Sequence, residues 1–338
     1  MTNNTKMWLY IALLCILVGI GIFTLTACSN GWSFASNANI KTVTHEITED
    51  FDKIVINTDT SDITILPSED GVCKIVSSEH KRIKTTADVK DGTLTFSTVN
   101  EKKWYDYILD FGEKSTKVYL PKSEYDSLII KENTGDIILT DSFTFREADI
   151  KLSTGDIDCS SSFGGLLKIQ LSTGETELKN CSAGKIEIVG STGDVDIINV
   201  KSSSDISVRV TTGDVDFSRV ECAGEINISV STGDAEFYDV KCRDLVTTGD
   251  TGDFCLKRVI ASEKFSIKRT TGDVEFESCD AAEILVKTST GNVYGTLISD
   301  KSFIYSTSTG NVQLPDTAGG RCEIKTSTGN INISICEK

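Results

Sequence analysis

The triplet Thr-Gly-Asp, or a close copy of it, returns every 19 or 20 residues from Gly135 to Gly329 of this chain. Its glycines are Gly135, Gly155, Gly174, Gly193, Gly213, Gly233, Gly252, Gly272, Gly291, Gly310 and Gly329. A period that strict admits few architectures. Each repeat must be one structural unit resting on its neighbours, so the chain is expected to wind into a solenoid with one coil per repeat.

Alternation before and after each glycine says what the unit is. Ile206, Val208 and Val210 precede Gly213 and Val215 and Phe217 follow it; Ile226, Ile228 and Val230 hold the same places before Gly233. The residues between them are mostly polar, among them Asp214, Asp216, Asn227 and Ser229. Period-two patterning marks strands with one face buried and one wet. A coil then reads as strand, glycine turn, shorter strand and a second corner that carries a small apolar residue such as Val200, Val220, Val240 or Cys279. No coil can bury its own inward side chains, so stacking in a parallel ladder at ~4.8 Å is required. The expected fold is all-β: a single-stranded parallel β-solenoid, or β-helix, of about eleven coils and about 50 Å in length. Leucine-rich repeats share the period but need a Leu-x-x-Leu-x-Leu run that is absent here.

Glycine suits the turn because it reaches positive φ without a Cβ clash, and the flanking Ser/Thr and Asp/Asn can bond the turn backbone. Two glycines compete in Thr248-Gly249-Asp250-Thr251-Gly252-Asp253. Placing Gly252 in the turn sends Phe254 and Leu256 inward, whereas Gly249 would bury Asp253, so Gly252 is assigned. Thr247 and Gly249 then fall at inward sites and weaken that coil. Arg269 also falls inward, where snorkelling at a coil edge is expected.

Ahead of the repeats the chain divides into four stretches. Residues 1–6 form a short tail carrying Lys6, and 7–28 are a near-continuous apolar run. About 20 such residues can span a bilayer, and with no Lys or Arg after it until Lys41, positive-inside bias places the repeats outside the cytoplasm. Leu25-Thr26-Ala27-Cys28 also reads as a lipobox, with Cys28 as the lipidated residue of an alternative lipoprotein anchor. Residues 29–50 read as a spacer. In 51–124, the run Phe51-Asp52-Lys53-Ile54 matches Tyr125-Asp126-Ser127-Leu128 at a constant offset of 74. That marks 51–65 as a degenerate first coil, with 66–124 inserted as an antiparallel β cap. The solenoid proper is 125–338.

An apolar N-terminal helix ending near Gly31-Trp32-Ser33-Phe34, the Phe51-Asp52-Lys53-Ile54 opening and the serial Thr-Gly-Asp-Val turns together resemble the bacterial adhesin-type family of β-strand-repeat proteins, nominally a domain of unknown function. The resemblance covers residues from about 7 to 338. It implies a protein anchored in the cell envelope with its repeats outside the cytoplasmic membrane, sometimes linked to envelope stress. It carries over no catalytic residue.

Candidate chemistry is sparse. Asp136, Asp156, Glu175, Asp194, Asp214, Asp234, Asp253 and Asp273 each follow a turn glycine, so stacking would align them in a column. Like charges repel there by roughly 1 kcal/mol per pair in water, which bound Ca²⁺ could offset; turn bonding and solubility are the plainer reading. Asn292, Asn311 and Asn330 take that place in the last three repeats, where such a row must stop. A second acidic row, Asp158, Glu177, Asp196, Asp216, Glu236 and Glu275, lies two residues further on. Apart from calcium no cofactor is implied. Cys181, Cys279 and Cys336 share one phase and read as buried hydrophobes, while Cys222 and Cys242 lie in adjacent coils at a spacing that would allow a bridge. His45 and His80, the two histidines, read as solvated loop residues. Arg209, Lys268 and Arg269 could be the basic residues of a polysaccharide-cleaving β-helix. A net charge of −16 argues against nucleic acid.

The sequence therefore favours a non-enzymatic, envelope-anchored module that binds an envelope protein or glycan. A regulatory envelope-stress component and a carbohydrate-active enzyme are the alternatives. With nothing but Glu337 and Lys338 after Ile331-Asn332-Ile333-Ser334-Ile335, that last coil is expected to be open to end-to-end association.

Overall fold

The structure, a computed structural model, describes residues 13–19, 21, 40–80, 83–100 and 114–336. Residues 13–19 are helical. Among the described residues no helix is long and apolar enough to cross a membrane. Most of the expected 7–28 anchor, including Cys28, lies outside the described residues.

Residues 125–336 wind into a parallel β-solenoid. Val195 pairs with Val215 and Val215 with Ala235, so equivalent residues of successive repeats sit atop one another. Strand Ile206–Thr212, the Gly213 turn and strand Val215–Cys222 make a representative coil. All eleven turn glycines have φ between +128° and +157°. Conformation is half the reason they are glycine. A Cβ on Gly213 would stand 2.1 Å from the carbonyl oxygen of Gly193, so successive turns are in backbone contact. Gly252, with φ +130°, is the turn residue of its coil, and Val230 pairs with Gly249 in the preceding strand.

Inward columns form one continuous core. Val200, Val220, Val240 and Cys279 are fully buried at the second corner. Aromatic rings stack along the axis, Phe51 on Tyr125, Tyr125 on Phe145 and Phe145 on Phe163 at 5.8, 6.0 and 6.1 Å, and Phe217 on Phe237 at 4.9 Å. Offset stacking of this kind adds about 0.5–1.5 kcal/mol per pair beyond area burial. The second corner has a feature the apolar pattern does not announce. Asn180, Asn199, Arg219, Asp239, Arg258 and Ser278 all adopt φ of +52° to +56°, a left-handed residue closing each of six successive corners.

The N-terminal end is built differently from a plain antiparallel cap. Strands β1 (Ile40–Ile47), β2 (Lys53–Asn57), β3 (Asp62–Pro67), β4 (Cys73–His80), β5 (Ile83–Lys90), β6 (Thr93–Asn100) and β7 (Ser115–Leu120) precede the repeats. β2 and β3 stack in parallel on the first repeat, Ile54 on Leu128 and Ile63 on Ile137, at the offset of 74. β6 and β7 then run parallel to β2 and β3 and form one more coil beyond them. The antiparallel members are β5 on β6, β4 on β7 and β1 on β4. β1 thus occupies most of the second half of the stretch read as a spacer.

The C-terminal end corrects the expectation of strictly sequential stacking. Strand Glu283–Lys287 pairs with Gly320–Lys325, not with Lys301–Ser306, and Val293–Leu297 pairs with Ile331–Ile335. Lys301–Ser306 and Val312–Gln313 lie outside those, on Gly320–Lys325 and Ile331–Ile335. The Gly329 coil is therefore slotted between the Gly291 and Gly310 coils, and Ile331 and Ile333 are buried rather than terminal. One side chain ties the skipped slot. The buried Lys301 ammonium donates to Asp280 Oδ1 at 2.7 Å, to the Ala281 carbonyl at 2.7 Å and to Ser299 Oγ at 2.8 Å. Gly320 lies in its path, and a Cβ there would stand 3.4 Å from Lys301 Nζ.

Arg269 is a second correction. It does not snorkel; it is buried, and a Cβ on Gly249 would stand 1.9 Å from its Nη1. The guanidinium fills the hole that Gly249 leaves, lies 5.6 Å from the Phe254 ring centre and donates to the carbonyls of Val230 (3.4 Å) and Asp253 (3.3 Å). Loss of water lowers its proton affinity, against the pull of Asp234, Asp253 and Asp250. Arg209 and Lys268 point outward, as alternation requires.

Candidate functional site

Stacking brings the first acidic row into a column, and the column has a backbone role. Oδ1 of Asp194 accepts the amide N–H of Asp214, Asp214 that of Asp234, Asp234 that of Asp253 and Asp253 that of Asp273, at 2.7–2.8 Å. Asp62 serves Asp136, Asp136 serves Asp156 and Asp156 serves Glu175 in the same way. Where the row changes to asparagine the bond persists, from Asp273 to Asn292, Asn292 to Asn330 and Asn330 to Asn311, in the swapped order of the last coils. An amide oxygen serves as well as a carboxylate in this role, which is why the Asp-to-Asn change leaves the turn intact. Among the described residues no three metal-ligating side chains converge on one point.

The second row runs unbroken from Asp158 to Glu236 and is interrupted by Cys255 before Glu275. Asp158 pairs with Glu177, Glu177 with Asp196, Asp196 with Asp216 and Asp216 with Glu236. Partial burial, then the neighbouring carboxylates, raise the proton affinity of Asp196 and Asp216. Glu175, longer than its aspartate counterparts, is raised by burial and by its bond to Asp196. The two rows make one edge of the rod strongly anionic.

A different surface lies at the second corner. A groove of about 820 Å³ crosses several coils there, floored by Gly164, Ala183, Gly184 and Ala223, with the Ser202 and Ser203 hydroxyls and the rims of Lys201, Lys241 and Arg243. Small residues open it because each corner lacks the side chains that would fill it. Lys201 bonds Glu221 at 3.0 Å and Arg243 bonds Asp244 at 2.7 Å, so its charges are mixed rather than uniformly basic. Cys222 and Cys242 also line it; both are free, as is every described cysteine. They form no bridge, although their spacing would allow one. Burial pushes the Cys181 thiol up to about 11 and the Cys242 thiol up to about 12, so both are inert packing groups at neutral pH.

Besides Lys301, another buried ionisable group escapes the sequence reading. Glu132 occupies an inward column, where Leu152 and Leu171 follow it in the next coils, and is buried. Its carboxylate accepts from Thr58 Oγ1 and from the amides of Asn133 (3.1 Å) and Thr134 (3.3 Å). Burial outweighs those bonds and pushes its pKa up to about 7. His45 is no solvated loop residue either: it lies in β1, edge-on to Phe96 at 6.1 Å, with Nε2 2.7 Å from Thr85 Oγ1.

Solved structures similar to the chain include a "putative adhesin" from Bacteroides fragilis, at 16% identity over 87% of this chain and 97% of that one, with a TM-score of 0.31. A "putative lipid binding protein" from Parabacteroides distasonis is 14% identical over 88% and 98%, TM-score 0.34. A "putative adhesin" from the same organism is 13% identical over 87% and 96%, TM-score 0.35. No curated protein matches the chain. The Toastrack DUF4097 family, in contrast, matches residues 51–238 and 203–338. With β2 through Ile335 thus covered, the chain belongs to the Toastrack DUF4097 family.

Proposed function

We propose that the chain is a non-enzymatic protein of the cell envelope, held at the membrane by residues 7–28 and presenting its solenoid outside the cytoplasm to an adhesion or binding partner. The observation that carries the reading is the groove of about 820 Å³ across the second corners. Inward columns are taken up by packing and the glycine column by backbone contact. The first acidic row is engaged with the next coil's amides. The outward corner positions are what remain for a ligand, and there the floor is small and hydroxylated and the rim carries both signs of charge. Such a surface suits an extended polyhydroxylated or mixed-charge partner, such as an envelope glycan or a protein segment. The apolar run preceded by Lys6 and followed by no basic residue until Lys41 supports the topology.

Two measurements test it. Protease added to intact cells should digest the solenoid while a cytoplasmic marker survives; protection until the membrane is opened would overturn the topology. Purified full-length protein in mild detergent should bind an envelope glycan fraction or a membrane-protein partner, and Ala223→Arg, at an exposed position lining the groove, should weaken that binding at least about tenfold. Equal binding by that variant would refute the groove. Metabolic lipid labelling of wild type against Cys28→Ala separates the lipid anchor from the spanning one.

A further inference from the structure

The two ends of the rod are finished differently. At the N-terminal end the outermost parallel coil keeps Leu94, Phe96, Val118 and Leu120 buried, because β4 and β5 close over it with Cys73, Ile75 and Ile83. At the other end the swapped Gly310 coil is outermost, and no other described strand pairs with its outer side. Phe303 stands opposite Cys322 and Tyr305 opposite Ile324, so both hold inward positions. Yet Tyr305 is 55% exposed, while Cys322 and Ile324 one coil in are 1% exposed. Phe303, Val312 and Leu314 are only half-buried against the core. The rod's hydrophobic interior is cut open at this end.

The edge strand itself is unguarded. Lys301–Ser306 pairs on one side with Gly320–Lys325 and, among the described residues, with nothing on the other. Exposed edges are normally blunted by charge, proline or a bulge. Ser302-Phe303-Ile304-Tyr305-Ser306 has none of these, and Ile304 is 51% exposed. The charge pattern changes at the same place. The first acidic row passes into Asn292, Asn330 and Asn311 in the last three slots. In the second row Glu275 is followed by Tyr294 and then Asn332. A chain of net charge −16 thus discharges both anionic rows just before its open end.

We propose that this end docks on the same end of a second copy, edge strand antiparallel to edge strand, with the two open cores meeting. The occupant follows from the asymmetry: the N-terminal end is closed, so head-to-tail growth has no open mate, and the surface left to complete the core is the copy's own. A two-fold contact of this kind closes at the dimer and does not propagate into fibres. Loss of the carboxylate rows near the contact removes the like-charge repulsion that would otherwise oppose it.

Sedimentation velocity of the full chain in mild detergent, over a rising concentration series, tests the proposal. A monomer–dimer equilibrium is expected. Ile304→Lys and Tyr305→Asp should each raise the dissociation constant at least about tenfold, while Tyr238→Asp, at an exposed site on the flank, should not change it. Amide exchange at 302–306 should slow as dimer forms. A monomer throughout, as expected if the end serves a different protein, overturns the proposal. A dimer indifferent to both end variants, with unprotected 302–306 amides, overturns it equally.

Discussion

Glu132 gives the sharpest test of the packing argument, because the stack forces a carboxylate into a column built for leucine. Its partners are Thr58 and two backbone amides; Asp59, Lys131 and Lys151 are the charged groups on the adjoining coils. Burial raises its pKa from the ordinary 4.5 to about 7, and nearby Asp59 adds to the rise. The folded chain then keeps a proton that the unfolded chain releases anywhere between those values. Stability is fully present below 4.5 and is lost as pH rises through about 7. At about 1.36 kcal/mol per decade of affinity, the loss is about 3 kcal/mol. Glu132→Gln keeps the shape, accepts from the same amides and offers its NH₂ to Thr58 Oγ1, but never ionises. Wild-type Tm is expected to fall by about 5 °C between pH 5 and pH 8, and the variant should show much less of that fall. The two should melt together at pH 5 and diverge at pH 8, with the variant the more stable. A wild-type Tm flat across that range, or an equal slope in Glu132→Gln, would refute the reasoning.

Lys301→Met removes the tie between the outermost coil and Asp280. Because Asp280 is a quarter exposed and can regain water, the cost should be about 2 kcal/mol rather than the 3–5 of a fully buried pair. Amide exchange should accelerate first in 301–314. Gly249→Ala is expected to cost about 2 kcal/mol or more, because its Cβ would collide with Arg269 and also stand 2.5 Å from the Val230 carbonyl; an Arg269→Ala background should recover only the part due to the guanidinium, and strictly additive losses in the double-mutant cycle would show that the two side chains do not share one space. Calcium at millimolar concentration should leave Tm unchanged within about 1 °C, since one oxygen of most first-row carboxylates already holds an amide and calcium wants six to eight oxygens. A calcium-dependent rise abolished by Asp214→Asn would argue for a cation row after all.

Local pattern revealed the coil and not the order of coils. Period-two alternation around Gly213 sufficed for inward and outward faces because burial is decided within one repeat. Which coil rests on which is decided between repeats that are nearly alike, so the pairing energy hardly distinguishes slots. Lys301, bonded to Asp280 and passing Gly320, favours the observed order, and no periodicity links three such residues. The β1 strand was missed for the same reason, since its partner β4 is antiparallel and outside the repeat. Arg269 and Gly249 were each flagged as anomalies at inward sites, one too large and polar, the other too small. Their explanation needed the knowledge that they are adjacent in the stack. Glu132 was legible in principle, as a charge at a position where Leu152, Leu171, Val210 and Val230 stand in other coils.

The swapped end carried a signal too, and it lies in a single residue. Pro315 is the one proline within the repeats. Proline donates no amide to a ladder, so within a sheet it is confined to edges, strand starts and bulges. In a solenoid every interior strand has a coil on each side, and the first short strand of an outermost coil is where such a residue is tolerated. A proline five residues after Gly310, with none after Gly329, points to the Gly310 coil as the edge. The same logic couples fold to function. Placing the Pro315 coil outermost leaves Tyr305 and Ile304 uncovered and puts the charge-free asparagine turns beside them. Pro315 thus lies in the same coil as Lys301–Ser306, the edge strand that a second chain can pair with.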